Sequence, residues 1–344
     1  MTMTSAEDRL PAPTELAQVE GWFFPVDQVL FDWFLTRQVS RTEPGDLLEV
    51  GAYLGKSAIF MGSYLREGDT FTVCDLFDAP AEDNANSAEM KKSYPTLTRH
   101  SFEANYLSFH DELPEVVQGM SSTVRDRVQP VSCRFAHIDA SHLYEHVHAD
   151  IETSRELLHP HGVVALDDYR SAHCPGVAAA VWQAVTSGGL HAICVTESKM
   201  YATWGDPAEI RAELLAYVSG RADLWHEVQT VAGAPLLRVK GDRDRTVSPS
   251  QPPSRHAPAA AQDPDQTAGQ TAAQTAARTA EHAESAAART AGPAGRAESQ
   301  APTAASPAAP APRRSRARRL LVNVLPPIIT KALVRIRDSR RAGA

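Results

Sequence analysis

The sequence has few cysteines, no long apolar run and no recognisable export signal. Its 344 residues include only four cysteines, which form no CxxC pair and have no histidine at zinc-finger spacing. This excludes a disulfide scaffold and predicts reduced, buried thiols. No apolar run reaches the roughly 18 residues of a membrane-spanning helix. The N-terminus lacks a basic region followed by an apolar one. We therefore predict a cytoplasmic protein, with peripheral contact to the inner face of the membrane left open.

Charge is divided unevenly along the chain. Residues 1–240 carry 18 Lys and Arg against 34 Asp and Glu, whereas residues 241–344 carry 16 against 8. An acidic N-terminal part argues against a nucleic-acid-binding core, because the phosphate backbone would be repelled. We expect no nucleic acid as a partner of the core.

Composition divides the chain into four segments. Residues 1–44 are predicted to form a helical cap or lid, and residues 45–240 the main domain. Residues 241–312 contain almost no large apolar side chain, which predicts a disordered linker. Residues 313–344 place cationic clusters on both sides of a short apolar run, which favours docking on an anionic membrane or on a partner protein. A nucleic-acid-binding tail is the alternative.

Strand-like and helix-like stretches alternate in the main domain. This alternation predicts an α/β fold of the Rossmann-like, doubly wound type, with a mostly parallel seven-stranded sheet and helices on both faces. The predicted strands are 46–52, 70–76, 116–119, 133–140, 162–167, 190–196 and 201–204. The predicted helices are 21–38, 56–65, 122–128, 142–158, 176–186 and 207–219, and two short strands are expected around residues 232–234.

The stretch LLEVGAYLGKSA, residues 47–58, joins a strand to a helix through a glycine turn. It contains Glu49, Gly51 and Gly55 in the pattern ExGxxxG, so the middle glycine of a dinucleotide-binding GxGxxG is missing. Asp75 follows about 20 residues on, at the end of the second strand, where it can accept both hydroxyls of a ribose. The pattern indicates a nucleotide-sized cradle and argues against a nicotinamide oxidoreductase.

Acidic residues end two further strands. Asp139 follows one apolar strand, and Asp167 and Asp168 follow the next. Ligands bind at the carboxyl ends of parallel strands, and neighbouring strands lie about 4.8 Å apart, so these carboxylates can converge. Such a density of oxygen ligands suits Mg²⁺ or Ca²⁺. The alternative is that each acid only caps the segment that follows it.

The two motifs together resemble those of class I S-adenosylmethionine (SAM) methyltransferases. Over residues 20–206, the runs LLEVGAYLGKSA and HIDASHLYEHVHADIE…LLHPHGVVALDDY are similar to the TylF/MycF-type metal-dependent sugar O-methyltransferases, with a Methyltransf_24-like domain. The resemblance implies SAM as cofactor and Mg²⁺ as metal. It implies metal ligation by Asp139, Asp167 and Asp168. The SAM-binding positions that we predict from it are Glu49, Gly51, Ala52, Tyr53, Gly55, Ser57, Asp75 and Asp139.

His142 is the predicted catalytic base, with Asp139 as the second catalytic residue. Some relatives carry an acidic base two residues after the first metal ligand, but Ser141 stands there in this chain, whereas His142 matches a histidine found in others. An imidazole that titrates near neutrality can take the proton of a sugar hydroxyl. The alternative is that His142 only begins a helix or orients Asp139.

The predicted activity is methyl transfer to a hydroxyl of a sugar or polyhydroxylated acceptor. Two alternatives stay open: a metal-independent class I methyltransferase, and a non-catalytic SAM-binding scaffold that recruits partners through its tail. The acceptor and the oligomeric state, including a homo-oligomer, are not encoded in a readable pattern.

Overall fold

The structure is a computed structural model that describes residues 12–81, 87, 90, 92–94 and 96–258. All of these residues belong to one compact unit, Met1–Gln270. The predicted linker beyond residue 258 and the predicted docking segment 313–344 lie outside the described residues. Among the helices of the described part, none combines the length and the apolarity needed to cross a bilayer.

Nine strands form one mixed sheet in the order β3-β2-β1-β4-β5-β7-β6-β9-β8. The strands are β1 (Asp46–Val50), β2 (Phe71–Asp75), β3 (Glu115–Gln118), β4 (Cys133–Ile138), β5 (Leu158–Leu166), β6 (His191–Val195), β7 (Met200–Thr203), β8 (Leu224–Val231) and β9 (Ala234–Gly241). Strands β1 to β5 pair in parallel, and β7 runs antiparallel between β5 and β6. The predicted fold class is confirmed. The predicted seven strands become nine because the hairpin β8–β9 joins the same sheet through β6.

Helices cover both faces of the sheet. They are α1 (Pro25–Ser40), α2 (Lys56–Gly62), α3 (Arg99–Leu107), α4 (Tyr144–Leu157), α5 (Pro175–Ser187) and α6 (Ala208–Ser219). Apolar side chains of α1, α2, α3 and α6 belong to one buried cluster, and those of α4 and α5 to the other. Neighbouring strand residues such as Leu47 and Leu48 point into opposite clusters, as the two-residue period of a strand requires. The predicted helix 122–128 is a short 3₁₀ helix, Ser121–Asp126.

Helix α1 is a core element of one layer. It begins with Pro25 at its first turn, where a missing N–H costs nothing. Phe31 and Phe34 are fully buried, and their rings pack against Phe135 of β4 and Tyr201 of β7. The helix of the predicted cap or lid segment therefore packs in the core, while the residues just before it reach the cavity described below.

The chain stays packed beyond the predicted boundary at residue 240. Ser254 is buried and donates a hydrogen bond to the carbonyl oxygen of Pro13 (2.6 Å). The guanidinium of Arg255 bonds Asp111 at 2.6 Å. The first part of the predicted linker, through residue 258, is thus held by polar contacts that composition alone does not reveal.

Candidate active site

A cavity of about 570 Å³ opens at the carboxyl edge of the central strands. Its walls come from the glycine turn after β1, the ends of β2, β4 and β5, the segment before α1, and the residues after β9. Volumes of this size are typical of small-molecule sites, and the carboxyl edge is where open α/β sheets bind ligands. The sheet topology therefore places the two sequence motifs in one cavity.

The glycine turn is required by a close backbone approach. Gly51 has a φ of +86°, and a Cβ at this position would lie 2.1 Å from the carbonyl oxygen of Asp139. The backbone of β1 approaches β4 because the N–H of Asp139 donates to the carbonyl of Val50 at 2.7 Å. Only glycine fits both the left-handed conformation and the contact.

Asp75 ties the glycine turn to β2. One carboxylate oxygen accepts the N–H groups of Ala52 (2.7 Å) and Tyr53 (2.9 Å), and the other accepts the N–H of Phe77 (2.9 Å). Burial raises the pKa of Asp75, and these three donors oppose that shift. The acid predicted to hold a ribose therefore lines the cavity and also fixes the turn beside it.

The predicted SAM-binding residues divide by location. Those that line the cavity are Gly51, Ala52, Tyr53, Ser57, Asp75 and Asp139. Glu49 and Gly55 are not among the lining residues. Gly55 directly precedes α2 in the left-handed conformation, under the ring of Phe102. Glu49 is fully buried and pairs with Nδ1 of His137 at 2.7 Å, and burial raises the pKa of Glu49 to about 8.

The three aspartates predicted as metal ligands fall into two clusters. Ile138 and Leu166 are paired in register, so Asp139 and Asp167 follow them side by side, and their carboxylates lie within 4.8 Å of each other and of His137. Asp168 belongs instead to a cluster with His142, His173 and Cys174. Burial and the neighbouring Asp167 carboxylate raise the pKa of Asp139 well above its usual range. The predicted convergence is thus present for the first two acids.

A buried lysine, which the sequence analysis missed, faces this acid pair. Lys199 is 1% exposed, forms an ion pair with Asp167, and lies 3.1 Å from Nε2 of His137. Burial alone would lower the pKa of Lys199, but Asp167, Asp139 and Asp27 hold it above its ordinary value. Asp27 of α1 is itself fully buried and accepts hydrogen bonds from Thr196, Ser198 and Tyr201.

His142 forms a pair with Asp168 in the cavity wall. Its Nε2 lies 3.2 Å from the Asp168 carboxylate, whose other oxygen accepts the hydroxyl of Ser171. Burial would raise the pKa of Asp168, but these partners and His173 hold it below the ordinary value. His142 precedes α4, which begins at Tyr144, so the predicted placement of His142 on the helix is corrected.

Aromatic rings form one side of the cavity. Trp22 is 59% exposed and stacks on Tyr53 with ring centroids 5.7 Å apart, and Tyr94 meets Trp22 edge-on at 6.0 Å. Of the other two aromatics in this segment, Phe23 is buried in the core. Phe24 carries the Arg243 guanidinium over its ring at 4.0 Å. The cavity therefore has aspartate side chains on its floor and an exposed aromatic face on one side.

Comparison with known proteins finds a match to a methyltransferase domain. The family model Methyltransf_24, a methyltransferase domain, matches residues 48–169, the span that contains the glycine turn and all three predicted metal-binding aspartates. Over these residues the chain is similar to a methyltransferase domain, so the resemblance predicted from the sequence is confirmed. No curated protein matches the chain in sequence.

Solved structures with a similar fold include several methyltransferases. The O-methyltransferase NovP has a TM-score of 0.45 and 18% identity, and the match covers 52% of this chain and 79% of NovP. CalS11, a TDP-rhamnose 3′-O-methyltransferase of calicheamicin biosynthesis, has a TM-score of 0.37 and 22% identity. That match covers 53% of this chain and 80% of CalS11. The SAH-bound methyltransferase PaMTH1 of Podospora anserina has a TM-score of 0.29 and 11% identity. That match covers 62% of this chain and 78% of PaMTH1. These likenesses are too distant to transfer a substrate.

Proposed function

We propose that this protein transfers a methyl group from SAM to a hydroxyl of a sugar or similar polyhydroxylated acceptor. The observation that carries the proposal is the pair His142–Asp168, which lies in the same cavity as the glycine turn of the methyltransferase domain. A base beside a cofactor cradle is what methylation of a hydroxyl requires, because a neutral hydroxyl is a poor nucleophile.

The residues of the cavity suit SAM. Gly51 and Asp75 both line the cavity, and the Asp75 carboxylate holds the N–H groups of the turn that follows Gly51, as a nucleoside cradle needs. When bound, SAM supplies an electrophilic methyl group on a positively charged sulfur. The carboxylates of Asp75 and Asp168 line the same cavity and favour a cationic ligand.

His142 is the base of this proposal. As the new oxygen–carbon bond forms and the sulfur–carbon bond breaks, the acceptor hydroxyl loses its proton to the imidazole. Asp168 orients the ring and stabilises the imidazolium that results, as a carboxylate does for histidine in other catalytic pairs. Ser171 fixes Asp168 in turn through its hydroxyl.

The predicted magnesium ion does not fit these residues. One oxygen of Asp167 accepts the N–H of Asp168 at 2.8 Å, and the other is paired with the ammonium of Lys199. The second cluster offers two imidazoles, one carboxylate and the thiol of Cys174, a donor set less suited to Mg²⁺ than an all-oxygen one. We therefore assign no part of the transfer to a metal.

A sugar acceptor is supported by the aromatic face of the cavity. Trp22 is exposed over the stacked ring of Tyr53, and both line the cavity. An exposed aromatic face can bury the apolar C–H surface of a pyranose while its hydroxyls stay available for hydrogen bonds. The acceptor hydroxyl would then enter between this face and His142.

The experiment uses the full chain, because residues up to 258 pack on the domain. Calorimetric titration with SAM tests the cradle, and a radiolabelled methyl-transfer assay on a panel of nucleotide-linked and free sugars tests the activity. We expect His142→Ala to lower kcat by about 10²–10⁴ with little change in SAM affinity.

His148→Ala is the matched control, since His148 lies on α4 and stacks on Tyr144 away from the cavity. It is expected to keep the activity of the wild type. Absence of SAM binding would overturn the proposal, and SAM binding with no transfer to any acceptor would favour the scaffold alternative. An unchanged kcat and pH profile in His142→Ala would remove the base.

A further inference from the structure

Lys199 is a fully buried cation among the acids of the candidate active site. Its ammonium pairs with Asp167 and lies 3.1 Å from Nε2 of His137. The carboxylates of Asp139 and Asp27 are also near enough to act on it. A buried ammonium is tolerated only with paired charges around it, so its partners define its position.

The sheet topology explains why Lys199 reaches this point. β7 runs antiparallel to β5, with Met200 paired to Leu166. The residue before the start of β7 therefore lies next to the residue after the end of β5, which brings Lys199 to Asp167. The turn is fixed because the N–H of Thr196 donates to the carbonyl of Lys199 at 2.9 Å, and the N–H of Lys199 donates to the Thr196 hydroxyl at 2.9 Å.

A divalent ion held by Asp139 and Asp167 would need the same space. The ligating oxygens of the two acids lie within 4.8 Å of each other, close enough to share one cation. Both oxygens of Asp167 already have partners, one of them Lys199. Placing a second cation against this ammonium would cost Coulomb energy at low dielectric.

We propose that the Lys199 ammonium is the resident cation of this active site, that it positions Asp139 and Asp167 in place of a divalent metal ion, and that methyl transfer needs no added metal. The second part rests on the proposed function, whereas the first stands on the contacts of Lys199 alone. Lys199 is a positioning residue in this proposal, since it acts through the two acids.

Mn²⁺ is the probe, because its free form gives a magnetic resonance signal that disappears on binding. We expect the full-length wild type to leave the Mn²⁺ signal unchanged at one equivalent. Lys199→Ala removes the ammonium and leaves two facing carboxylates, so it should gain one bound Mn²⁺. Adding Asp167→Asn to Lys199→Ala should abolish that binding.

Lys240→Met is the matched control. Lys240, in β9, forms an ion pair with Glu197, which stands in the same turn as Lys199. The side chain of Lys240 is 43% exposed. This variant should behave as the wild type with Mn²⁺ and in the transfer assay. In the wild type, removal of metal with EDTA should change turnover by less than about twofold, since a required metal ion would be worth several kcal/mol to the transition state.

Three results would overturn the proposal. The first is Mn²⁺ binding by the wild type that Asp167→Asn removes. The second is a large loss of turnover with EDTA, whichever cluster held the ion. The third is a Lys199→Ala protein that is folded by circular dichroism and binds no Mn²⁺. If Lys199→Ala does not fold, the wild-type Mn²⁺ titration decides. Failure of SAM to bind would instead defeat the proposed function and leave the Mn²⁺ result to stand by itself.

Discussion

Replacing Gly51 by alanine tests the physical basis of the cradle. The new Cβ would lie 2.1 Å from the carbonyl oxygen of Asp139 and 2.7 Å from Cα of Ala140, both of them backbone atoms that cannot rotate away. The left-handed conformation at φ +86° adds about 1–2 kcal/mol for a residue with a Cβ. Overpacking against a fixed neighbour adds about 1–3 kcal/mol. The expected loss of unfolding free energy is therefore about 2–5 kcal/mol.

Gly68→Ala separates the two contributions. Gly68 has nearly the same φ, +88°, but a Cβ there would meet nothing within 4 Å. This variant should lose only the conformational part, about 1–2 kcal/mol, and should keep its affinity for SAM. Urea unfolding measures the stability of each variant, and calorimetry measures the affinity.

The difference in stability and in SAM affinity between Gly51→Ala and Gly68→Ala measures the effect of the close backbone approach. We expect Gly51→Ala to be the less stable protein and to bind SAM more weakly, because β1 and β4 must separate at the wall of the cavity. Equal stability and equal SAM affinity in the two alanine variants would refute the close-approach argument.

Three further outcomes follow from the site. Asp75→Asn should weaken the hydrogen bonds that the N–H groups of the glycine turn donate to this side chain. Because a hydrogen bond to a charged group is worth about 1.5–3 kcal/mol, the Kd for SAM measured by calorimetry should rise about tenfold or more. Burial raises the pKa of Glu49 to about 8 in the folded protein, against 4.5 ordinarily, so the folded state holds an extra proton between these values. The free energy of unfolding should therefore fall as the pH rises from about 5 to 8, by up to about 1.4 kcal/mol per pH unit. In Glu49→Gln, the free energy of unfolding measured with urea should change less with pH. Trp22→Ala should raise KM for a sugar acceptor without a matching change in SAM affinity, and an unchanged KM would exclude the stacking role.

The strands and the principal acids were predictable because their signals are local. An apolar run ending in an acid predicts both a buried strand and a side chain at its carboxyl end, and Asp75, Asp139 and Asp167 all lie there. The glycine turn was also readable, since a strand followed by two glycines before a helix has few other solutions. These features depend on neighbours in sequence and on one general rule of α/β sheets.

Lys199 and Asp27 were not predictable in the same way. Lys199 stands in the polar turn ESK, which looks like an exposed connection, and only the antiparallel pairing of β7 with β5 brings it to Asp167. Asp27 looks like an ordinary acid in the first turn of a helix, where the helix dipole favours it. Its burial depends on Thr196 and Tyr201, about 170 residues further along the chain. A lysine directly before the strand that runs antiparallel to β5 is nevertheless a signal that could be sought in other sequences.

The charge of the cavity connects these residues to the reaction. Asp75, Asp167 and Asp168 line it, and their carboxylates attract a positively charged sulfonium but not the neutral sulfur that remains after transfer. A divalent ion between Asp139 and Asp167 would oppose the sulfonium with two positive charges. A single ammonium, buried and paired with Asp167, opposes it less and still offsets the repulsion between the acids. A lysine at position 199 is thus consistent with strong binding of a cationic cofactor and ready release of its neutral product, which a comparison of SAM and S-adenosylhomocysteine affinities in wild type and Lys199→Ala would measure directly.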